Sequence, residues 1–123
     1  MAKILIVDDE PLTCRCLEEF LTGKGYKVIT ASRGEEALLK VDSERPLLML
    51  LDVRMPGMNG MEILARAKAL DPHLGVIMIT GVMDEDIGRQ ALGMGADDYL
   101  TKPVDLNYLE MSLWVKLLAL SGN

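Results

Sequence analysis

The sequence has very few cysteines and histidines, the usual ligands of structural zinc sites. Its 123 residues include two cysteines, Cys14 and Cys16, and one histidine, His73. The cysteines are two positions apart in a helical pattern, so their side chains point in different directions and cannot form a disulfide with each other. Without a Cys-x-x-C motif or a second histidine, a zinc site of the Cys/His type is not expected.

Long hydrophobic segments are also missing. The longest apolar run, Leu47–Leu51, is far shorter than the roughly 20 residues of a membrane-spanning helix. The first apolar segment, Ile4–Val7, is followed at once by acidic residues and is too short for a secretory signal. We therefore expect a cytoplasmic protein that does not contact a membrane.

Basic residues are outnumbered. Thirteen lysines and arginines face nineteen acidic residues, which gives a net charge of −6. A nucleic-acid-binding surface needs clustered basic side chains, so we expect no direct binding to nucleic acid, whereas a bound cation is compatible with this charge. Half of the residues are hydrophobic, which is enough for a core, and the length suits one domain over residues 1–123.

Short apolar strands and amphipathic helices alternate five times along the chain. The strands are predicted at Lys3–Val7, around Val28 and Ile29, at Leu47–Leu51, at Val76–Ile79 and around Tyr99 and Leu100. The helices are predicted from Pro11 to Leu21, after Gly34 through Ala37, Leu38 and Val41, from Ile63 to Leu70, from Asp84 to about Leu92 and from Leu106 to Leu120. Strands joined by helices of this length predict an α/β fold with right-handed crossovers and a parallel five-stranded sheet covered on both faces.

Polar residues follow four of the predicted strands directly. They are Asp8 and Asp9 after the first strand, Asp52 after the third, Thr80 after the fourth and Lys102 after the fifth. Ligands of open α/β sheets bind outside the carboxyl ends of the strands. We therefore expect these five residues to meet on one edge of the sheet.

The chemistry of this set is complementary. Clustered carboxylates repel one another, and a hard cation relieves the repulsion; Mg²⁺ suits an all-oxygen site, and Mn²⁺ is an alternative. A carboxylate can act as a nucleophile and form an aspartyl phosphate, while the metal, Lys102 and the hydroxyl of Thr80 share the charge of the phosphoryl oxygens. Taken singly, each residue has a simpler interpretation: Asp8 or Asp9 as a helix cap, and Lys102 as a solvated loop residue.

The combination of motifs resembles the receiver domain of two-component response regulators, including the chemotaxis receivers. It consists of Asp8-Asp9, Asp52 followed by Met55-Pro56-Gly57 and Gly60, Thr80-Gly81, and Lys102-Pro103, and it covers about Lys3 to Leu118. The resemblance implies that residues 1–123 are a single receiver domain. It also implies a flavodoxin-like, doubly wound (βα)5 sandwich with strand order 2-1-3-4-5, in which strands one and three are neighbours.

The resemblance further implies roles for the acidic residues. Asp52 would accept a phosphoryl group from a sensor histidine kinase or a phosphotransfer protein. Asp9, Asp52 and the backbone carbonyl of Arg54 would bind Mg²⁺, with Asp8 acting through water. Such a domain is a signalling module and not an enzyme, because it promotes only its own phosphorylation and dephosphorylation.

Four further residues have roles implied by the same resemblance. Lys102 would contact the phosphoryl group, and Thr80 would move to hydrogen-bond it. Tyr99 stands at the position of the aromatic switch residue, which turns inward as Thr80 moves. The peptide bond between Lys102 and Pro103 is expected to be cis, which is uncommon elsewhere.

The last predicted helix has two apolar arcs. The arc expected to face the sheet consists of Leu106, Leu109, Leu113, Leu117 and Leu120. The second arc consists of Tyr108, Met111, Trp114, Val115, Leu118 and Ala119. A helix on a sheet cannot bury both, so we interpret the second arc as part of an output surface formed by helix four, strand five and helix five. Its partner would be a downstream effector domain or protein, or a second copy of the chain as a homodimer.

Two other functions remain open at this stage. A small phosphohydrolase with an aspartyl nucleophile after the first strand would need an Asp-x-Asp pair there, and only Asp8 and Glu10 match that spacing. A receiver that is never phosphorylated could act purely as an interaction module, although all five site positions are filled.

Overall fold

Five parallel strands form one sheet in the order β2-β1-β3-β4-β5 in the computed structural model. The model describes residues 2–55, 57–81 and 85–121, with the backbone alone for Ser121; Pro56 of the sequence motif and Asp84, the predicted start of the fourth helix, lie outside them. The elements are β1 (Lys3–Val7), α1 (Pro11–Gly23), β2 (Lys27–Ala31), α2 (Gly34–Glu44), β3 (Leu48–Asp52), α3 (Gly60–Leu70), β4 (Gly75–Thr80), α4 (Glu85–Gly93), β5 (Asp98–Thr101) and α5 (Leu106–Ser121). The predicted flavodoxin-like fold and strand order are confirmed.

The helices cover both faces of the sheet. On one face, α2, α3 and α4 pack over alternate strand residues such as Leu5, Met49 and Met78. On the other face, α1 and α5 pack over the intervening residues, such as Ile6 and Leu50. Because β3 and β4 are buried on both faces, their sequences are continuous apolar runs and do not alternate with polar residues.

Local sequence explains where α1 begins and ends. Pro11 occupies the first turn, where its missing N–H costs no hydrogen bond. The helix ends where Gly25 adopts a φ of 94°, a left-handed conformation that favours glycine. There the N–H of Tyr26 donates to the carbonyl of Leu21 and turns the chain into β2.

The inward arc of α5 is confirmed only at its centre. Leu109 and Leu113 are fully buried against the sheet, and Leu117 and Leu120 are half-buried. The expectation for Leu106 was wrong, because this residue is 36% exposed. A 16-residue helix is about 24 Å long and a five-residue strand about 16 Å, so the helix ends extend past the sheet.

The carboxyl ends of the strands lie along one edge of the sheet. Val7 is paired with Leu51 in the neighbouring strand, and Asp52 is paired with Ile79 in the strand beyond it. The polar residues that end β3 and β4 or come directly after β1 and β5 therefore emerge at the same edge. Among the helices of the described residues, none has the length and apolar character needed to cross a membrane.

Candidate functional site

Three carboxylates meet where β1 and β3 end side by side. Asp8 and Asp9 follow β1 directly, and Asp52 is the last residue of β3. One carboxylate oxygen from each lies within 4.8 Å of the other two. Asp8 and Asp52 are buried, whereas Asp9 is exposed at the mouth of the cluster. The predicted convergence of these residues is therefore confirmed.

Each buried carboxylate is held by one backbone N–H and one ammonium group. Asp52 accepts a hydrogen bond from the N–H of Arg54 at 3.0 Å, and its other oxygen lies 3.2 Å from Nζ of Lys102. Asp8 accepts one from the N–H of Glu10 at 2.8 Å, and its other oxygen lies 3.3 Å from the same Nζ. The helix-cap alternative is not supported, since Glu10 is the N-cap of α1 and the cap has no side-chain hydrogen bond.

Lys102 has a third partner that the sequence did not indicate. Its Nζ lies 2.9 Å from Oε1 of Glu10, closer than it lies to either buried aspartate. The two residues are 92 positions apart, so no local pattern links them. The one feature of the sequence that could have indicated this contact is the position of Glu10 directly after Asp8 and Asp9. Lys102 is therefore not the solvated loop residue of the simpler interpretation.

Burial and neighbouring charges shift the pKa values of Asp8, Glu10 and Lys102. Burial, with a smaller contribution from the charge of Asp52, raises the pKa of Asp8, although the N–H of Glu10 and the ammonium of Lys102 oppose the change. Burial alone would lower the pKa of Lys102, but its contacts with Glu10, Asp52 and Asp8 outweigh this and raise it. The hydrogen bond and charge of Lys102 lower the pKa of Glu10. Lys102 is thus a firmly charged ammonium within an anionic pocket.

Thr80 and Lys102 are joined through the backbone. Thr80 is the buried last residue of β4, and its carbonyl accepts a hydrogen bond of 2.7 Å from the N–H of Lys102. The peptide bond between Lys102 and Pro103 is cis, as predicted. The end of β4 therefore fixes the start of the segment that carries the Lys102 side chain into the pocket.

Tyr99 packs beneath α4. Its ring is half-buried and lies over Gly88, where an added Cβ would be 3.1 Å from the ring atom Cδ1. The Tyr99 hydroxyl is buried and has no hydrogen-bond partner within the described part of the chain. Glycine at position 88 thus permits a ring position that any larger residue would crowd.

The donor set fits a hard divalent cation. All three acidic side chains offer oxygen atoms, which Mg²⁺ and similar ions prefer. The carboxylates of Asp52 and Asp8 are each oriented by a hydrogen bond from a backbone N–H group. The carboxylate of Asp9 makes no hydrogen bond or ion pair with any described residue, so it is available as a ligand. The acidic pocket is compatible with divalent metal binding.

Gly60 holds the start of α3 against the end of β3. Its N–H donates to the carbonyl of Val53 at 2.8 Å. A Cβ at this position would lie 2.6 Å from Cα of Val53 and 2.8 Å from the carbonyl oxygen of Asp52. The first turn of α3 can approach the end of β3 this closely only without a side chain.

The second arc of α5 is exposed, as expected. The exposed fractions are 61% for Trp114, 60% for Val115, 56% for Met111, 51% for Leu118 and 42% for Tyr108. Ala119, the sixth member of the arc, is also exposed. These apolar side chains form a continuous strip along the helix face that points away from the sheet.

Asp98 connects this helix to β5. One of its oxygens accepts hydrogen bonds from the hydroxyls of Tyr108 at 2.9 Å and Ser112 at 2.8 Å, and the other accepts from the N–H of Tyr99. The hydrogen bond and the charge of Asp98 raise the pKa of Tyr108. Sequence reasoning assigned Asp98 no role, because these partners are defined only when α5 lies against β5.

The family comparison covers most of the chain. A family model described as the response regulator receiver domain matches residues 4–113. The sporulation initiation phosphotransferase F of Bacillus subtilis is 38% identical over 121 residues, which are 98% of this chain and 97% of that protein. The alkaline phosphatase synthesis transcriptional regulatory protein PhoP of the same organism is 43% identical over 101 residues, or 82% of this chain. The chain spans only 42% of the length of PhoP.

Solved structures show the same fold. A CheY-like response regulator receiver domain protein from Methanospirillum hungatei superimposes with a TM-score of 0.95 at 34% identity, covering 99% of this chain and 98% of that one. A response regulator from Burkholderia pseudomallei, solved with a phosphorylated aspartic acid, a calcium ion and citrate, gives a TM-score of 0.86 at 26% identity over 92% of this chain and 66% of that one. With the fold, the acidic edge of the sheet and the relatives in agreement, the chain belongs to the receiver domain family of two-component response regulators.

Proposed function

We propose that this receiver accepts a phosphoryl group on Asp52 from a sensor histidine kinase or a phosphotransfer protein. The observation that carries the proposal is the position of Lys102, whose Nζ lies 3.2 Å from Oδ2 of the buried Asp52 carboxylate. A buried carboxylate beside a fixed ammonium is suited to accept a group that arrives with negative charge. The Burkholderia pseudomallei relative carries a phosphorylated aspartic acid, which supports an aspartate as the acceptor of the phosphoryl group.

The metal of this reaction is proposed to be Mg²⁺, with Mn²⁺ as an alternative. Asp9, Asp52 and the backbone carbonyl of Arg54 would hold it, and Asp8 would act through water. When bound, the ion neutralises charge on the phosphoryl oxygens. The calcium ion in the Burkholderia pseudomallei relative supports a divalent cation.

The transfer step needs little covalent chemistry from the protein. One carboxylate oxygen of Asp52 forms a bond to phosphorus while the bond from phosphorus to the donor histidine nitrogen breaks, and the released imidazole takes up a proton from water. Lys102 balances the charge of the phosphoryl oxygens, and the hydroxyl of Thr80 donates a hydrogen bond to one of them. The protein changes only its own Asp52 and turns over no external substrate.

The output is proposed to run from Thr80 through Tyr99 to the α4/β5/α5 surface. Movement of Thr80 toward the phosphoryl group changes the space available to the Tyr99 ring under α4. The exposed strip of α5, with Trp114 at its centre, would then bind a downstream effector domain or protein, with a homodimer as the alternative. Acting between a kinase and such an effector, the protein is proposed to work in the cytoplasm.

The decisive experiment measures the intact mass of the protein after incubation with Mg²⁺ and acetyl phosphate. A phosphoaccepting receiver gains one phosphoryl group, and the Asp52→Asn variant gains none. The two alternatives give different results: a receiver that acts only as an interaction module gains nothing, and a phosphohydrolase consumes many equivalents of acetyl phosphate.

A further inference from the structure

Glu10 makes the shortest of the three ion pairs of the Lys102 ammonium, although it lies outside the acidic cluster. Its Oε1 is 2.9 Å from Nζ of Lys102, compared with 3.2 Å for Asp52 and 3.3 Å for Asp8. The Glu10 side chain is 61% exposed, whereas those of Asp52 and Asp8 are almost completely buried. Lys102 is therefore shared between two carboxylates inside the pocket and one at its mouth.

The position of Glu10 is built into the start of α1. Its N–H donates to the Asp8 carboxylate at 2.8 Å, and the adjacent Pro11 restricts the backbone. The hydroxyl of Thr13 donates to the same Oε1 that contacts Lys102, at 3.4 Å. The backbone of Glu10 is thus held by Asp8, and its side chain is oriented by contacts with both Thr13 and Lys102.

We propose that Glu10 is a positioning residue that restrains phosphoryl transfer by holding the ammonium of Lys102 at the pocket mouth. This inference rests on the proposed function. In the unphosphorylated protein Glu10 neutralises part of the charge of Lys102 and places a negative charge in the path of an anionic phosphodonor. Phosphorylation then requires Lys102 to exchange its contact with Glu10 for a contact with a phosphoryl oxygen.

The test compares phosphorylation rates at low ionic strength. Glu10→Gln keeps the size of the side chain and removes its charge, and we expect it to accelerate phosphorylation by acetyl phosphate about three- to tenfold, as estimated for one exposed charge a few ångströms away. Glu19→Gln is the matched control, since Glu19 is an exposed residue of α1 that makes no side-chain hydrogen bond or ion pair with the described residues. Its rate should equal that of the unmodified protein.

Two readouts separate this electrostatic role from a structural one. The gain in Glu10→Gln should shrink at high salt, because exposed charges are screened. The gain should also be larger with acetyl phosphate, a dianion at neutral pH, than with phosphoramidate, a monoanion. A structural change in the pocket would alter the rates with both donors alike and at every salt concentration.

The outcomes distinguish this inference from the proposed function. If the unmodified protein gains no phosphoryl group, the proposed function is wrong. If it is phosphorylated but Glu10→Gln reacts at the rate of Glu19→Gln, or more slowly, or faster by the same factor at all salt concentrations, the role of Glu10 is refuted while the function of Asp52 stands.

Discussion

The ring of Tyr99 rests on the backbone of Gly88, so closely that a methyl group there would be 3.1 Å from Cδ1 of the ring. The same ring carries a buried hydroxyl with no hydrogen-bond partner among the residues described. An unsatisfied buried hydroxyl costs free energy and so disfavours this ring position. The position also requires the space that Gly88 leaves. This contact connects Tyr99 of β5, the proposed switch residue, to the backbone of α4.

Gly88→Ala should move the Tyr99 ring toward solvent. The added methyl group crowds the ring, while alanine favours the helix by about 1 kcal/mol over glycine and the released hydroxyl gains water as a partner. We expect the folded state to be retained and the ring at position 99 to become solvent-accessible. The fluorine NMR signal of 3-fluorotyrosine at this position measures the change. Gly93→Ala is the control in the same helix, since nothing lies within 4 Å of a Cβ there. An unchanged Tyr99 signal in Gly88→Ala would contradict the expectation.

Asp9→Ala should abolish measurable Mg²⁺ binding. The exposed Asp9 is the one carboxylate of the cluster with no partner in the described part of the chain, so it offers its oxygens at no cost in existing contacts. Binding is best followed by amide NMR shifts during a Mg²⁺ titration. Asp42→Ala serves as control, since the exposed Asp42 pairs with Arg45 alone among the described residues. Equal titrations of Asp9→Ala and the parent would show that the metal binds elsewhere.

Lys102→Ala should slow phosphorylation while tightening Mg²⁺ binding. The ammonium lies within 3.3 Å of both Asp8 and Asp52, so its removal leaves their charges available to a cation. The same removal deprives the phosphoryl group of its counter-charge, so any phosphorylated protein should bind its output partner weakly. Phosphorylation kinetics and Mg²⁺ titrations test the two effects, with the exposed Lys27 at the start of β2 replaced by alanine as control. Unchanged phosphorylation would reduce Lys102 to a structural residue.

Trp114 should report association through α5. Its side chain is 61% exposed, so its emission in the monomer should resemble that of a solvated indole and shift to the blue when the surface is covered. Emission and sedimentation across a concentration series, with and without beryllofluoride, test this. Trp114→Ala should prevent association and change the free energy of unfolding by no more than about 0.5 kcal/mol. Leu113→Ala, at the adjacent buried position, should cost about 2 to 5 kcal/mol.

A Trp114 emission that stays constant in both states, in a protein that remains monomeric and contacts no partner through this helix, would refute the assignment of the output surface. The comparison with Leu113→Ala separates loss of the interface from loss of the fold, because only the latter lowers the unfolding free energy.

Asp98→Asn should lower the pKa of Tyr108. The Asp98 carboxylate accepts a hydrogen bond from the Tyr108 hydroxyl and raises the pKa of Tyr108. The folded state therefore binds the phenolic proton more tightly than the unfolded chain does. This hydrogen bond stabilises the folded state at pH values below about 10, the pKa of a tyrosine in the unfolded chain. The stabilisation is lost as the pH rises through the higher pKa of Tyr108 in the folded state. The phenolate absorbance of the variant, with Tyr108→Phe to identify the step, measures the shift. Tyr26, whose pKa is raised mainly by burial, should titrate unchanged.

The sheet and its acidic edge were predictable because their signals are local. A strand buried on both faces is a continuous apolar run, as in Leu48–Leu51, and Asp52 ends that run. The side-by-side position of β1 and β3, which brings Asp8 to Asp52, required the strand order implied by the family resemblance.

The remaining features depend on contacts distant in sequence. The contact between Glu10 and Lys102 spans 92 positions, and the bonds of Asp98 form only once α5 is docked. Helical periodicity placed Leu106 on the inward face, but it cannot show where the sheet beneath a helix ends.

Gly60 has a consequence for how sequence variation at this site should be interpreted. A Cβ at this position would overlap the backbone of Val53 and the carbonyl oxygen of Asp52, so the restriction is steric and applies to every residue that has a side chain. A library of variants selected for folding alone would therefore retain glycine at position 60. Under the proposed function, a library selected for signalling would also retain Asp52. Invariance by itself cannot distinguish a reactive carboxylate from a glycine that is required only because a side chain would not fit.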